Sequence, residues 1–163
     1  MTAASAPNTA SQRSSDALAR ELAAADAHCR ARGAQLTALR REVLELLLLR
    51  EGSAKAYDLQ DDMRARHGRV APTTVYRALE FLIEQELVHR VDAINAFVVC
   101  NGEHVHHHAM MLVCAQCGQV TEWHDEEAFA ALGKRLRKSV AGFHVGSVEI
   151  KGLCTNCTEA QAG

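Results

Sequence analysis

Six cysteines and nine histidines are spread unevenly along this chain of 163 residues. Four of the cysteines form two pairs, Cys114-x2-Cys117 and Cys154-x2-Cys157. Four of the histidines (His104, His106, His107 and His108) crowd just before the first pair, in "HVHHHAMMLVCAQC". A Cys-x2-Cys turn presents two thiolates from one tight knuckle. Two such turns supply four soft ligands, which satisfy tetrahedral zinc and leave no position open for water or substrate. Gly118, directly after the first pair, lets the backbone reverse there. Two disulfides would need an oxidising compartment, and a redox Cys-x2-Cys would need a flanking β-α-β pattern. The sequence indicates neither. The reading is a closed, structural zinc site whose binding contributes directly to folding, so that its loss would melt a small domain.

The histidine run is left over by that site. Neighbouring side chains on a strand point to opposite faces, so His106, His107 and His108 cannot all meet one ion. Ligands drawn from separate segments serve better. The remaining donors are His89 and Cys100, near an expected hairpin, and Glu122, five residues after Cys117. Imidazole, thiolate and carboxylate together form a borderline-soft set that suits Zn²⁺. The plain alternative is a solvated histidine-rich loop that holds metal weakly. Cys29 falls on the apolar side of an expected helix and reads as a buried thiol. No partner is evident for His28, His67 or His124. No HExxH or similar helix motif supplies a general base beside an open metal position, so an enzyme is not expected.

These residues must be held by a chain with 48% hydrophobic and 23% charged residues, an ordinary composition for a globular protein. The net charge of −2 does not point to a polyanion partner, so any nucleic-acid surface has to be a local patch. No apolar run approaches the ~20 residues of a membrane span. The first fifteen residues are small and polar, with neither a basic start nor an apolar core, and read as a flexible tail without an export signal. The expectation is a cytoplasmic protein.

The front half reads as helices. Residues 16–32 are Ala-rich with leucines at helical spacing and end at Gly33. Thr37 is placed to cap "ALRREVLELLLLR", which ends near Gly52, and a third helix spans 56–67. Pro72 suits the first turn of a fourth, which a threonine could cap. There Val75, Ala78, Leu79, Leu82 and Ile83 form one buried stripe, leaving Tyr76, Arg77 and Glu80 outside it. "LVHRVD" and "AFVVC" then read as a hairpin. Helices followed by a hairpin make a winged helix-turn-helix pattern, with Thr73, Thr74, Tyr76 and Arg77 at the mouth of a DNA groove. The rear half reads as α/β: strands at "MMLVC", "QVTEW" and "SVEIKGLC" around one amphipathic helix, with acids in its first turn and bases in its last. The expected fold class is α+β. Its divisions are a tail (1–15), a winged-helix DNA-binding domain (16–93), a hinge (94–98) and a zinc-binding dimerisation domain (99–163).

In order along the chain, "QLTALRREVLELL", "AYDLQDDM", "PTTVYRALEFLIEQELVHRV", the histidine run and "LVCAQCGQV…GLCTNC" resemble the ferric/zinc uptake regulator (Fur) superfamily, from about residue 20 to 157. "AYDL", "TTVYRALEFL" and the cysteine of "VVC" look most like its zinc-uptake (Zur) branch. The resemblance implies a homodimeric, zinc-dependent repressor that binds double-stranded operator DNA. It would carry two Zn²⁺ per monomer and use neither a membrane nor a small organic substrate. Cys114, Cys117, Cys154 and Cys157 match the family's structural zinc. His89, Cys100, His107 and Glu122 match the regulatory zinc, with His106 and His108 as alternates for His107. Tyr57, Tyr76 and Arg77 match positions that approach DNA. The chain lacks the family's usual histidines at "AMMLV" and in "GFHVGSVEIKGLC", so a third metal site is not carried over and His144 does not replace one. An iron or peroxide sensor of the same superfamily is the main rival, and a zinc-buffering protein a more distant one.

Overall fold

The computed structural model describes residues 15–50, 52–100 and 109–162. The whole histidine run, His107 and its alternates included, lies outside them, as do residues 1–14 of the expected tail. The chain runs α1 (Ser15–Ala31), α2 (Ala38–Leu49), β1 (Ser53–Ala54), α3 (Ala56–His67), α4 (Pro72–Glu84), β2 (Val88–Val91), β3 (Ala96–Val99), β4 (Ala109–Cys114), β5 (Val120–His124), α5 (Glu126–Ser139), β6 (Val148–Gly152) and α6 (Thr155–Ala162). A 3-10 turn, Asp92–Ile94, joins β2 to β3.

The first four helices enclose the main core, in which Val43, Leu44, Leu59, Met63, Val75, Leu79 and Leu82 are buried together with Cys29. In α4 the stripe is buried as the spacing requires, except that Ile83 is only half-buried and Phe81 joins it. The Arg40 guanidinium lies 3.6 Å over the Phe81 ring, a cation–π contact that covers it from α2. Caps differ from expectation. Thr37 occupies the N-cap of α2 but its side chain makes no capping bond. The N-cap of α4 is Ala71, not a threonine, and Pro72 alone sets that start by fixing φ where no N–H is needed.

The hairpin has a third strand that the sequence did not announce. Two residues of β1 pair with β3, Ser53 opposite Val98 and Ala54 opposite Phe97, so the front sheet is ordered β1-β3-β2 and antiparallel throughout. Ala96–Val98, in the stretch expected as a hinge, are thus in a strand paired on both edges. In the rear sheet, ordered β5-β4-β6, β4 is antiparallel to β5 and parallel to β6, with α5 in the crossover. Asp125 caps α5, accepting the Ala128 N–H at 2.8 Å.

A second, smaller core joins the two halves: Val91 and Val98 of the hairpin meet Met111 and Val113 of β4. Met111 stands opposite Glu122 on one side and Glu149 on the other. Cross-strand partners point to the same face of a sheet. One row across the rear sheet therefore presents carboxylate, thioether and carboxylate to the hairpin.

Candidate metal centres

Cys114 ends β4 and Cys154 follows β6, two strands paired in parallel, which brings both knuckles to one edge of the rear sheet. The first knuckle closes through Gly118 N–H to Cys114 O at 3.0 Å and Cys114 N–H to Gln119 O at 2.9 Å. Gly118 sits at φ +73°, a region other residues enter at a cost. Cys157 arrives on α6, a helix the sequence reading did not anticipate. The four ligand atoms all lie within 4.8 Å of one another, and all four cysteines are free thiols. Cys117 Sγ and Cys154 Sγ are 3.8 Å apart, far beyond a disulfide bond. It is also the edge of a tetrahedron with metal–sulfur bonds of about 2.3 Å. The Cys154 N–H points at Cys114 Sγ at 3.4 Å. Backbone N–H groups, first that of Cys117 and then those of Cys154 and Gln116, draw the Cys114 thiol down to about 6. Contact with Cys154, then burial, pushes Cys157 up to about 12. One corner, Cys114, is prepared as a thiolate while Cys157 resists a second negative charge. A divalent cation resolves that conflict.

The second cluster spans both halves. His89 comes from β2, Cys100 follows β3, and Glu122 comes from β5, with ligand atoms again within 4.8 Å of one another. Cys100 is fixed where its N–H bonds Leu87 O at 3.0 Å, beside the strand that carries His89. Glu122 is a carboxylate with a side chain only 2% exposed. Its Oε1 receives the Cys100 thiol at 3.5 Å and lies 3.1 Å from His89 Nε2. That nitrogen is buried and off the axis of a good hydrogen bond, so it has no hydrogen-bond partner among the described residues. Contact with Cys100, then with Glu122, raises the His89 imidazole to about 9 against the opposing effect of burial. A buried imidazole nitrogen, a thiol and a carboxylate oxygen facing one point are donors of the right type for zinc. His124, two residues beyond Glu122 on the same face of β5, also reaches Glu122 Oε1 at 3.1 Å. The period-2 spacing from Glu122 was the available signal for that contact. The other two histidines without a predicted partner are structural: His28 bonds Gln85 O at 2.8 Å and His67 bonds Glu42 at 2.7 Å.

Of the residues expected at DNA, Tyr57 and Tyr76 are 65% and 51% exposed, and they line one cleft of about 300 Å³ between α3, α4 and the hairpin. Thr73 and Arg77 are exposed, and Thr74 is half-buried. Large aromatic rings held out in water next to a helix start are suited to contact a partner rather than a core.

The family model described as the ferric uptake regulator family matches residues 31–151. The zinc uptake regulation protein of Escherichia coli (strain K12) is 37% identical over 142 residues, covering 86% of this chain and 83% of that protein. A solved structure of a zinc uptake regulator complexed with zinc and DNA superposes with a TM-score of 0.79 at 37% identity, covering 90% of this chain and 98% of that one. Holo XcZur superposes at 0.74 and 34% identity, covering 85% of this chain and 96% of its own. Apo XcZur, also 34% identical, superposes at only 0.52, covering 88% and 99%. The fold described here thus superposes better on the holo form than on the apo form of that protein.

Proposed function

The chain belongs to the ferric uptake regulator family, and from that premise we propose that it is a zinc-responsive repressor of zinc-uptake genes, binding operator DNA as a homodimer. The observation that carries this reading is the convergence of His89 and Cys100 from the hairpin with Glu122 from the rear sheet. Zinc bound by His89, Cys100, Glu122 and a histidine of the run 104–108, His107 by spacing, would tie the two halves together. A second, structural zinc belongs to Cys114, Cys117, Cys154 and Cys157, making two per monomer.

The chain's own residues account for how such a tie reaches DNA. Val91, Val98, Met111 and Val113 form only a small core between the halves, so the closed arrangement is one of several the chain can adopt. Closure fixes the hairpin, and with it α4, against the rear sheet. Two half-sites about one helical turn, ~34 Å, apart need two reading heads at a fixed separation. A ligand at about 100 times its dissociation constant adds about 2.7 kcal/mol to the arrangement that binds it. Tyr57, Thr73, Thr74, Tyr76 and Arg77 are the residues we assign to DNA. Trp123 and Ile150, 41% and 45% exposed on the face of the rear sheet opposite the hairpin, support that face as the dimer contact. No described helix is long and apolar enough to cross a membrane. The protein would act in the cytoplasm, where its DNA lies. Cys100 favours zinc over iron, because a thiolate softens the donor set.

The test is DNA binding by the full-length protein as free zinc is varied, using a duplex selected from random DNA by the zinc-loaded protein. The parent should bind only as zinc rises. Cys100→Ala should remain a folded dimer and lose the response. Tight binding by Cys100→Ala in chelator would overturn the proposal.

A further inference from the structure

Away from the His89–Cys100–Glu122 cluster and the small apolar core, Glu149 joins the two halves by hydrogen bonds of its own. From β6 its Oε1 accepts the Asp92 N–H at 2.7 Å and its Oε2 accepts the Ala93 N–H at 2.8 Å. Asp92 and Ala93 open the 3-10 turn at the tip of the hairpin. N–H groups at such a start have no partner within the turn, and a carboxylate that takes two of them makes charge-assisted bonds. Both oxygens are engaged, so orientation as well as distance is set.

The placement of this grip gives it meaning. Glu149 and Glu122 flank Met111 on opposite sides of the central strand, in one row facing the hairpin. Glu122 meets the open end of the hairpin, at His89 and Cys100, while Glu149 holds its tip. The rear sheet therefore grasps the hairpin at two points, and only one of them offers metal donors.

We propose that Glu149 is a positioning residue that holds part of the metal-free population closed and so sets the zinc concentration at which the protein responds. This rests on the reading that closure is the zinc-binding form. A site that is competent only when closed shows an apparent affinity reduced by the closed fraction. Loss of the grip lowers that fraction while every zinc donor stays in place. The cost appears in zinc affinity, and saturating zinc recovers the closed state.

The experiment measures zinc affinity of the removable site in the full-length protein by competition with a fluorescent chelator. Parent, Glu149→Gln and Glu149→Ala are compared, and metal retained at the four cysteines is counted in each. Glu149→Ala should weaken the removable zinc about tenfold, an ordinary coupling between sites. Glu149→Gln, keeping one acceptor, should fall between. Retained zinc and circular dichroism should be unchanged, which a general structural defect would not allow. Equal zinc affinity in all three proteins overturns the inference, and Glu149→Gln decides it should the alanine variant not fold. Hydrogen exchange offers a check without substitution: the Asp92 and Ala93 amides should be protected in metal-free parent, and unprotected exchange contradicts the grip. A parent with no removable zinc would instead defeat the functional reading on which the inference rests.

Discussion

At the scale of single residues, burial and contact decide which groups can react. Cys29 is fully buried on α1, and desolvation, then the nearby Asp26 carboxylate, raises its thiol above the ordinary range. Thiolate is the nucleophile, so Cys29 should resist iodoacetamide at pH 7 in the folded zinc-loaded protein and react fully in denaturant. Rapid native labelling at Cys29, read by peptide mass, would contradict its placement. Glu42 runs the other way. Burial alone would raise its carboxyl, but contacts with His67 and Arg66 more than offset this, and the carboxyl lies below its usual range. A depressed carboxyl contributes stability that is present above the unfolded pKa and lost as pH falls through the folded one. Glu42→Gln should therefore lower the melting temperature at pH 7, with parent and variant converging in acid. An equal gap at both pH values would mean that packing, not charge, holds Glu42. That Cys114, Cys117, Cys154 and Cys157 gather at one place was legible from their spacing alone. His89, Cys100 and Glu122 could be picked out as leftover donors, but that they belong together was legible only through the resemblance, since nothing local joins residues so far apart in sequence. The partnership of His124 with Glu122 went unseen because period-2 spacing marks only a shared strand face, not which side chains meet on it.

At the scale of elements, α4 is the part where pattern and outcome agree best. Its apolar stripe packs on α2 and α3, and Leu82 is wholly buried. Leu82→Ala should cost about 2–5 kcal/mol, the usual range for a leucine cavity, measured by urea unfolding of the zinc-loaded protein. A cost below about 1 kcal/mol would place Leu82 outside the core. On the opposite face Arg77 is exposed, so Arg77→Ala should leave the melt unchanged while costing about 1–3 kcal/mol of DNA affinity if it reads a base edge. Equal losses on selected and scrambled duplexes would make it a phosphate contact. Helix periods and the Pro72 start were written in the sequence, because 3.6-residue spacing repeats within one segment. The strand β1 was not, because two residues cannot show a period and their pairing depends on β3, more than forty positions away. The row Glu122–Met111–Glu149 was hidden for the same reason: sheet register is a property of three strands together.

At the scale of the molecule, the two candidate metal centres would have different duties. The four-cysteine centre lies at one edge of the rear sheet, tying β4 and its knuckle to the end of β6 and the start of α6. Cys114→Ala should remove a ligand from the site that binds that edge, and the rear half should melt at lower temperature and lose its zinc. A native melt for that variant would refute a structural role. The His89–Cys100–Glu122 cluster instead joins front to rear, and a removable ion there would change what the residues we assign to DNA present. Metal content per monomer after mild chelation, measured together with DNA binding on the same samples, tests this division most directly. The account predicts two zinc ions before chelation and one after, with DNA binding lost in step with the first ion and restored by its return. Chelated protein that keeps a single zinc and still binds DNA at full strength would contradict it.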